Sequence, residues 1–389
     1  MKKIIVLLIW GICLVVGCTT TTTNKTAGTS CVTCSETEDG LIVFDVKCNE
    51  GEDVQFKDLV DSVRIVVFDE SVEKALIGRF IENIHKGGGR IIVEDDSDYP
   101  VKFFDDNGKF INSLREGQGP GEVDFVEASC YNLSAKEYII YDGGTISIFD
   151  NDGNFKSKVQ VPFPIRKMTC LNDDYLFYVE NWSFSPQNDS LNCAFIVTDK
   201  DFKIKYKALP FAQNSGVSES YSGPDSQFFR HLGDRVEFLN NDTIYSYDGK
   251  TLTPKIYVEY DNKLSSKPAD MKHAKTMEYV SNGNTQIFVV GSHTDYESHK
   301  IVRDAKSGHF YDLFESYKKE NRNCTLLFWT RMMEDRSACI MLNKDLVSYI
   351  RGIPDFVIDK IPSEQQSLLN QVKTDEDAHW LVFFKFKDF

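Results

Sequence analysis

The sequence is short of basic side chains relative to acidic ones. Its 389 residues include 44 lysines and arginines against 59 aspartates and glutamates, which gives a formal net charge of −15. Nucleic acid and anionic lipid surfaces both attract clustered Lys and Arg side chains. The acidic balance therefore argues against nucleic acid or anionic lipid as a partner of the folded part of the chain.

Motifs that mark common hydrolases are also missing. The seven histidines form no HxxxH or HExxH pair of the kind that holds catalytic zinc on a helix. No Gly-x-Ser-x-Gly elbow, the local marker of many serine hydrolases, occurs in the chain. The sequence therefore nominates no catalytic residue, no metal site and no cofactor.

Helical periodicity is scarce. Ser266–Tyr279 and Ser363–Val372 are the two candidate helices, and we expect both to be insertions in a β-rich chain. Aromatic residues make up 13% of the sequence, which suits sheets that pack face to face.

The longest apolar run lies at the N-terminus. Lys2 and Lys3 precede the almost wholly apolar stretch from Ile4 to Val16, and Gly17 precedes Cys18. This order is typical of a secretory signal, and the run is shorter than the roughly 20 apolar residues that cross a bilayer. Val15-Val16-Gly17-Cys18 resembles the lipobox of bacterial lipoproteins, in which the cysteine thiol receives a diacylglycerol.

We therefore expect a signal peptide at residues 1–17 and a lipid on Cys18 that attaches the protein to a membrane. An uncleaved anchor, or an ordinary signal with an incidental cysteine, is the alternative. The next residues are threonines rather than acids, which favours the outer membrane, with the domain in the periplasm.

Residues 18–40 are rich in Thr and Ser, so we expect a flexible tether. Cys31 and Cys34 lie within it without a second CxxC motif or His pair nearby, which favours a local disulfide or two oxidisable thiols over zinc. Other cysteines occur singly, and we expect small buried side chains whose disulfide pairing cannot be read from sequence: Cys48, Cys130, Cys170, Cys193, Cys324 and Cys339.

A hairpin-like pattern recurs beyond the tether. The pattern is clearest in Val101–Phe110 and Ile146–Phe155. Each segment begins with a mainly apolar run, continues with an Asp/Asn/Gly turn and ends in a second run, as in a β-hairpin. The turn sequences do not have the ligand spacing of an EF-hand, so we interpret them as structural turns. Weaker copies follow, and the marker residues of the five copies are Asp105, Asp150, Asp199, Asp248 and Asp304.

The spacing of the copies predicts the fold. The markers lie 45, 49, 49 and 56 residues apart, which leaves room for two further strands per unit. A four-stranded unit at this period is typical of a β-propeller blade. Five hairpins and a remainder predict an all-β, six-bladed propeller over residues 41–389; two packed sandwiches are the alternative. Because a ring must close, we expect the strand-like segments Leu41–Val46 and Trp380–Phe386 to share the last blade.

The glycine-dense segment Ser113–Glu122 follows the first hairpin and resembles a hallmark of a family of six-bladed propeller lipoproteins of Gram-negative bacteria, related to NHL-repeat propellers. The resemblance extends through Val63–Phe68, Ala75–Gly78 and Asn241–Tyr245. It implies the propeller fold and an envelope location, and it implies no catalytic residue. We interpret Gly117–Glu122 as a rigid turn between blades rather than a phosphate loop, because Pro120 lacks an amide donor.

Two groups of residues are candidates for ligand binding. His293 and His299 flank Asp295 and Glu297, and loops could bring them together with Arg230 and His231. Trp182, in a turn-rich stretch, could present an aromatic ring to a sugar or peptide, with core packing as the alternative.

The sequence favours a non-enzymatic envelope lipoprotein whose propeller binds a peptide, glycan or partner protein. An extracytoplasmic hydrolase or lyase with its site at the central channel is the alternative, and it rests on analogy between folds.

Overall fold

The structure, a computed structural model of the whole chain, describes residues 32–37, 40–46, 54, 56–78, 80–179, 192–211, 228–240, 242–260, 274–292, 298–312, 330–343, 347, 353–369 and 379–387. Its strands form six sheets of four strands each, one of which carries two additional strands. The predicted six-bladed, all-β propeller is confirmed. No helix in the described ranges has the length and apolar character that a membrane crossing requires.

The N-terminal elements are the strands β1 (Val32–Glu36), β2 (Ile42–Val46) and β3 (Val60–Val67), the helix α1 (Phe56–Leu59) and the 3-10 turn Glu73–Ala75. Blade 1 contains β4 (Ile81–Gly87), β5 (Arg90–Asp95), β6 (Val101–Asp105) and β7 (Phe110–Leu114). Blade 2 contains β8 (Ala128–Asn132), β9 (Glu137–Asp142), β10 (Thr145–Phe149) and β11 (Phe155–Gln160). Blade 3 contains β12 (Lys167–Leu171), β13 (Asp174–Tyr178), β14 (Cys193–Thr198) and β15 (Ile204–Pro210).

Blade 4 contains β16 (Phe229–His231), β17 (Val236–Asn240), β18 (Thr243–Tyr247) and β19 (Leu252–Tyr260). Blade 5 contains β20 (Ala274–Ser281), β21 (Thr285–Ser292), β22 (Ser298–Asp304) and β23 (Phe310–Asp312). Blade 6 contains β24 (Arg331–Met332), β25 (Ala338–Leu342), β26 (Trp380–Phe386) and β3. The helix α2 (Asp355–Lys360) and the 3-10 turn Ser363–Gln365 lie between β25 and β26 in the chain.

The first strand of each blade is the innermost one, nearest to the propeller axis. Strands β4, β8 and β12 contact one another in series, and β8 and β12 are buried along their whole length. The fourth strands β11 and β15 are largely exposed, as expected for the outer rim. Polar side chains on the first strands therefore point toward the axis or into the contacts between blades.

The buried apolar residues form six clusters, and each cluster lies between two neighbouring blades. Alternate residues of one strand point to opposite faces of its sheet. On β5, Ile91 and Val93 pack toward blade 6, whereas Ile92 packs toward blade 2. Both faces of an inner strand are thus buried, which explains why these strands are apolar throughout.

The recurring hairpins join the third and fourth strands of a blade, and their turns are held by the marker aspartates. The Asp150 side chain accepts hydrogen bonds from the backbone amides of Asp152, at 2.9 Å, and Asn154, at 2.8 Å. The other marker aspartates bind the amides of their own turns in the same manner: Asp105, Asp199, Asp248 and Asp304. The interpretation as structural turns is confirmed.

Blade 6 has no such hairpin because it closes the ring. Its third strand, β26, pairs antiparallel with β3 from the other end of the chain, from Trp380 opposite Val67 to Phe386 opposite Val60. No turn can join strands from opposite ends of the chain, so a six-bladed propeller closed in this way carries five hairpins of this kind.

The predicted position of Leu41–Val46 is wrong. β2 does not share the last blade but runs parallel to β19 at the outer edge of blade 4, with Ile42 opposite Ile256. β1 pairs antiparallel with β2, so residues 32–36 of the expected tether form a strand. The free edge of β19 accepts this pair because an outer strand leaves its backbone groups open to pairing.

The two helix predictions have different outcomes. Residues 274–279 of the first candidate belong to β20, so that part of the prediction is wrong, and the rest lies outside the described residues. In the second candidate, the 3-10 turn Ser363–Gln365 leads into helix at 366–369.

The two faces of the disc carry different connections. Connections between first and second strands, and between third and fourth strands, lie on one face, which we call the turn face. Connections between second and third strands, and between blades, lie on the opposite loop face.

Candidate functional site

Arg230 and His231, both nominated from sequence, lie on β16 and join neighbouring blades. Arg230 is buried, and its Nε donates a hydrogen bond to the Tyr279 carbonyl oxygen of blade 5 at 2.8 Å. The Nε2 atom of His231 lies 2.5 Å from the Thr169 hydroxyl oxygen of blade 3. Burial lowers the pKa of His231, and the nearby positive charge of Arg230 lowers it further. The described contacts of both residues are structural links between blades.

The other nominated residues cannot be placed in a site. Trp182 and His293 lie outside the described residues, as do Asp295 and Glu297. His299 belongs to β22, but its side chain is also outside the described part of the chain.

The structure reveals a buried polar group that sequence reasoning missed, and we call it the axial cluster. It contains Asn83 and His85 of β4, Glu94 of β5, Ser129 of β8, Tyr138 of β9 and Glu334 from the turn between β24 and β25. Three blades meet in it, namely blades 6, 1 and 2.

His85 lies between two carboxylates at the centre of this cluster. Its Nδ1 is 2.6 Å from Glu334 Oε1, and its Nε2 is 2.8 Å from Glu94 Oε1. The second oxygen of Glu334 accepts a hydrogen bond from the backbone amide of Lys86 at 3.1 Å. Glu334 thus holds the turn of blade 6 against the inner strand of blade 1.

Glu94 receives further hydrogen bonds from blade 2. The Tyr138 hydroxyl donates to Glu94 Oε1 at 2.7 Å, and the Ser129 hydroxyl donates to the same oxygen. The Nδ2 group of Asn83 donates to Ser129 Oγ at 3.3 Å. A carboxylate that accepts several hydrogen bonds is stabilised in its charged form.

Electrostatics fixes the charges in the axial cluster. Burial acts to lower the pKa of His85, but Glu334 and Glu94 outweigh it and raise this pKa well above its ordinary value. Burial acts to raise the pKa of Glu94, yet the hydrogen bonds from His85, Ser129 and Tyr138 lower it overall. His85 is therefore a buried imidazolium that donates to a carboxylate from each ring nitrogen.

This arrangement suits structure better than catalysis. His85 is only 2% exposed and Glu94 is 3% exposed, so neither side chain is open to a substrate in solution. Among the residues that the structure describes, no group of three or more His, Cys, Asp or Glu side chains is placed to hold a metal ion.

A second candidate site lies on the loop face above blade 1. It consists of residues 69–78, 80, 95–100 and 115–127, and we call it the blade-1 loop patch. The Phe80 amide donates to Asp96 Oδ1 at 3.0 Å, and the Glu116 amide donates to the Asp98 carbonyl oxygen at 3.1 Å. The three loops therefore form one hydrogen-bonded surface.

A buried ion pair supports the middle loop of the patch. Lys102 Nζ lies 2.5 Å from Asp95 Oδ2, and both side chains are fully buried. The same ammonium group donates to Ser97 Oγ at 2.8 Å and to the Tyr99 carbonyl oxygen at 2.7 Å. Asp95 also accepts a hydrogen bond from the Gly78 amide at 2.9 Å, which ties the first loop to the middle one.

The third loop contains the glycine-dense segment. The Gly119 amide donates to the Glu122 carboxylate at 2.8 Å, and the Gly117 amide donates to the Val123 carbonyl oxygen at 3.1 Å. A bound phosphate would have to displace Glu122 from the Gly119 amide. This segment joins β7 of blade 1 to β8 of blade 2, which confirms the predicted position between blades.

The blade-1 loop patch is both acidic and apolar. Its described residues include ten acidic and two basic side chains, and one of the acids, Asp95, is buried and paired with Lys102. Phe80 is 62% exposed and Phe125 is 59% exposed, and Leu76 and Val72 are about half exposed. The sequence contained this signal as aromatic residues within Asp/Glu-rich loops, but only the fold shows that the loops adjoin.

Comparison with known proteins supports the fold. Residues 41–383 match the family described as domain of unknown function DUF4934. No curated protein shows significant similarity to the chain. A crystal structure of a Bacteroides fragilis protein provisionally described as exported is 16% identical, with a TM-score of 0.63, over 89% of this chain and 99% of that protein.

A DUF4221 member from Bacteroides vulgatus is 12% identical, with a TM-score of 0.46, over 84% of this chain and 97% of that protein. The likeness to the Bacteroides fragilis protein shows that the two chains share a fold. The relation to NHL-repeat propellers and the lipoprotein label stay predictions.

Proposed function

Because this chain belongs to the DUF4934 family, whose description assigns no activity, we propose a function from its geometry. The protein is a lipid-anchored, extracytoplasmic binding module. Its blade-1 loop patch binds a segment of a partner protein that combines basic and apolar side chains.

The exposure of Phe80 and Phe125 on a hydrogen-bonded surface carries this proposal. Large apolar groups exposed on an ordered surface mark interaction sites, and aromatic anchors supply much of the energy in protein interfaces. The acidic surplus around them favours a partner with Lys or Arg side chains, because complementary charge steers association.

The proposed location rests on the N-terminus. A lipid on Cys18 would hold the propeller at a membrane after removal of residues 1–17, and these residues lie outside the described part of the chain. The description of the Bacteroides fragilis neighbour as exported agrees with this location. We propose the outer membrane, with the propeller in the periplasm.

Binding to a defined peptide library tests the proposal. We expect peptides that alternate Lys or Arg with aromatic residues to bind the full chain, and high salt to weaken that binding. The double variant Phe80→Ser/Phe125→Ser should lose at least about tenfold in affinity, since a truncated hot-spot residue costs more than about 1.4 kcal/mol.

A matched control removes exposed apolar residues elsewhere. Leu133 lies in the turn between β8 and β9 on the turn face, and Ile204 lies on the outer strand of blade 3. The variant Leu133→Ser/Ile204→Ser should bind as the wild type does. The proposed partner class would be contradicted if both double variants lost the same peptide affinity. It would also be contradicted if the protein bound glycans on an array selectively and did not bind the peptides.

One observation bears on the alternative function as a hydrolase or lyase: His85, Glu94 and Glu334 meet beside the axis. A substrate would have to displace Glu334 from His85 to reach them. Turnover of a glycan or ester that disappears in Glu94→Gln, while the variant keeps its fold by circular dichroism, would establish this alternative over the binding module.

A further inference from the structure

Two cysteines on neighbouring blades lie in contact. Cys130 is on β8 of blade 2 and Cys170 is on β12 of blade 3, and their Sγ atoms are 3.2 Å apart. Both are buried in the apolar cluster between these blades. A disulfide bond is about 2.05 Å long, so closing the gap requires a movement of roughly 1 Å shared by two side chains.

We propose that Cys130 and Cys170 form a disulfide that joins blades 2 and 3. The inference rests on the exported location in the proposed function, because disulfides persist in oxidising compartments. It assigns a pairing that the sequence left open, since these two cysteines lie 40 residues apart among several single ones.

The oxidant is a disulfide-carrying oxidoreductase of the cell envelope. One cysteine, as its thiolate, attacks the oxidant's disulfide, which forms a mixed disulfide and releases one thiolate of the oxidant. The thiolate of the second cysteine then attacks the sulfur of the first, which forms the bond between Cys130 and Cys170 and releases the oxidant's second thiolate. The oxidant gains two electrons and takes up the two protons that the cysteines lose, so it ends as a dithiol.

Burial sets the time at which this reaction occurs. Desolvation raises the pKa of Cys130 well above its ordinary value, and the adjacent Cys170 raises it further. In the folded protein the thiol is therefore protonated and shielded from an oxidant. The bond forms during folding, before blades 2 and 3 have packed against each other.

Two other buried cysteines provide internal controls. Cys193 lies on β14 in the same apolar cluster, and Cys339 lies on β25 with its Sγ 3.8 Å from Met333 Sδ. Both are buried like the proposed pair. They therefore show whether disulfide formation depends on the short distance between Cys130 and Cys170 rather than on burial alone.

The test has one arm in solution and one in cells. In solution, the full chain is denatured, reduced and refolded in an oxidised glutathione buffer; in cells, it is exported to a bacterial periplasm. Free thiols are then blocked, and the protein is digested without reductant. Combined trypsin and chymotrypsin cut between Cys170 and Cys193, so a linked peptide can be assigned by mass spectrometry.

We expect the peptide linking Cys130 to Cys170, two hydrogen atoms lighter than its parts, in both arms. If Cys130 and Cys170 are both recovered as blocked, and therefore free, thiols after oxidative refolding to the native state, the proposed pairing is wrong. If the disulfide forms in solution but not in the periplasm, the proposal that it forms in the cell envelope is wrong, although the two cysteines are close enough to pair. Loss of peptide binding with the link intact would count against the proposed function alone.

Thermal unfolding gives a second readout. Reductant present during refolding should lower the melting temperature of the wild type by about 5 °C. The same treatment should leave Cys130→Ala/Cys170→Ala unchanged, and Cys193→Ala should respond as the wild type does. An equal response of the double variant and the wild type would contradict the inference.

Discussion

The turn face and the loop face of the propeller are built differently. On the turn face, short turns such as Gly88-Gly89 join adjacent strands, and the marker aspartates close several turns with their own side chains. On the loop face, long connections such as residues 115–127 carry exposed aromatic and acidic groups. Local turn chemistry closes the turn face, whereas the loop face carries the patch that we propose for recognition.

Breaking the axial cluster, which lies toward the turn face, should have the largest effect on stability. Glu334→Gln removes one of the carboxylates that hold the buried imidazolium of His85. We expect the free energy of unfolding in urea to fall by about 3–5 kcal/mol, as for a broken buried ion pair. The exposed pair between Arg90 and Asp152 is the control: Asp152→Asn should cost no more than about 1 kcal/mol.

The axial cluster should also make stability depend on pH. The folded pKa of His85 is raised above 6.5, so its stabilisation is complete below pH 6.5 and is lost as pH rises through the folded pKa. The folded pKa of Glu94 is lowered from 4.5, so its stabilisation is complete above pH 4.5 and is lost as pH falls through the folded pKa.

The cluster should therefore contribute most between pH 4.5 and pH 6.5. The measurement is the difference in unfolding free energy between the wild type and His85→Gln/Glu334→Gln across this range and into alkaline buffer. A difference that stays constant with pH would show that the cluster is not held by charge.

A single turn of the turn face should matter less. Asp150→Ala removes the acceptor for the amides of Asp152 and Asn154, and we expect a loss of about 1 kcal/mol in urea unfolding. Asp150→Asn keeps an acceptor oxygen and should lose less. If both variants cost the same, charge rather than the hydrogen bonds holds the turn.

The smallest effect on stability should come from the loop face. Phe80→Ser/Phe125→Ser removes exposed side chains and should change the unfolding free energy by no more than about 0.5 kcal/mol per site. Val123, in the same patch, is buried, so Val123→Ser should destabilise the protein markedly more. A large loss in the Phe variant would mean that these rings serve the fold.

Sequence reasoning succeeded where structure depends on neighbouring residues. The turns at Asp105 and Asp150 could be predicted because an aspartate followed closely by glycine is local turn chemistry. The closing strand was assigned wrongly because Ile42–Val46 and Val60–Val67 are both rich in β-branched residues. Only their distant partners, β19 and β26, distinguish them.

The candidate sites were harder to predict for the same physical reason. His85 and Glu334 are 249 residues apart, and nothing near His85 in the chain sets it apart from the other six histidines. Arg230 and His231 were nominated as ligand-binding residues, and their described contacts join neighbouring blades. Prediction of a buried polar contact requires the ring geometry that brings distant blades together.

The pairing of β3 with β26 determines how the ring responds to tension. Val60 and Phe386 lie opposite each other at one end of this ladder, and Val67 and Trp380 lie at the other end. A force that pulls apart the chain before Val60 and the chain after Phe386 therefore loads one backbone pair at a time. Although the ring of blades is closed, such a pull would open it as a zipper, from Phe386 toward Trp380.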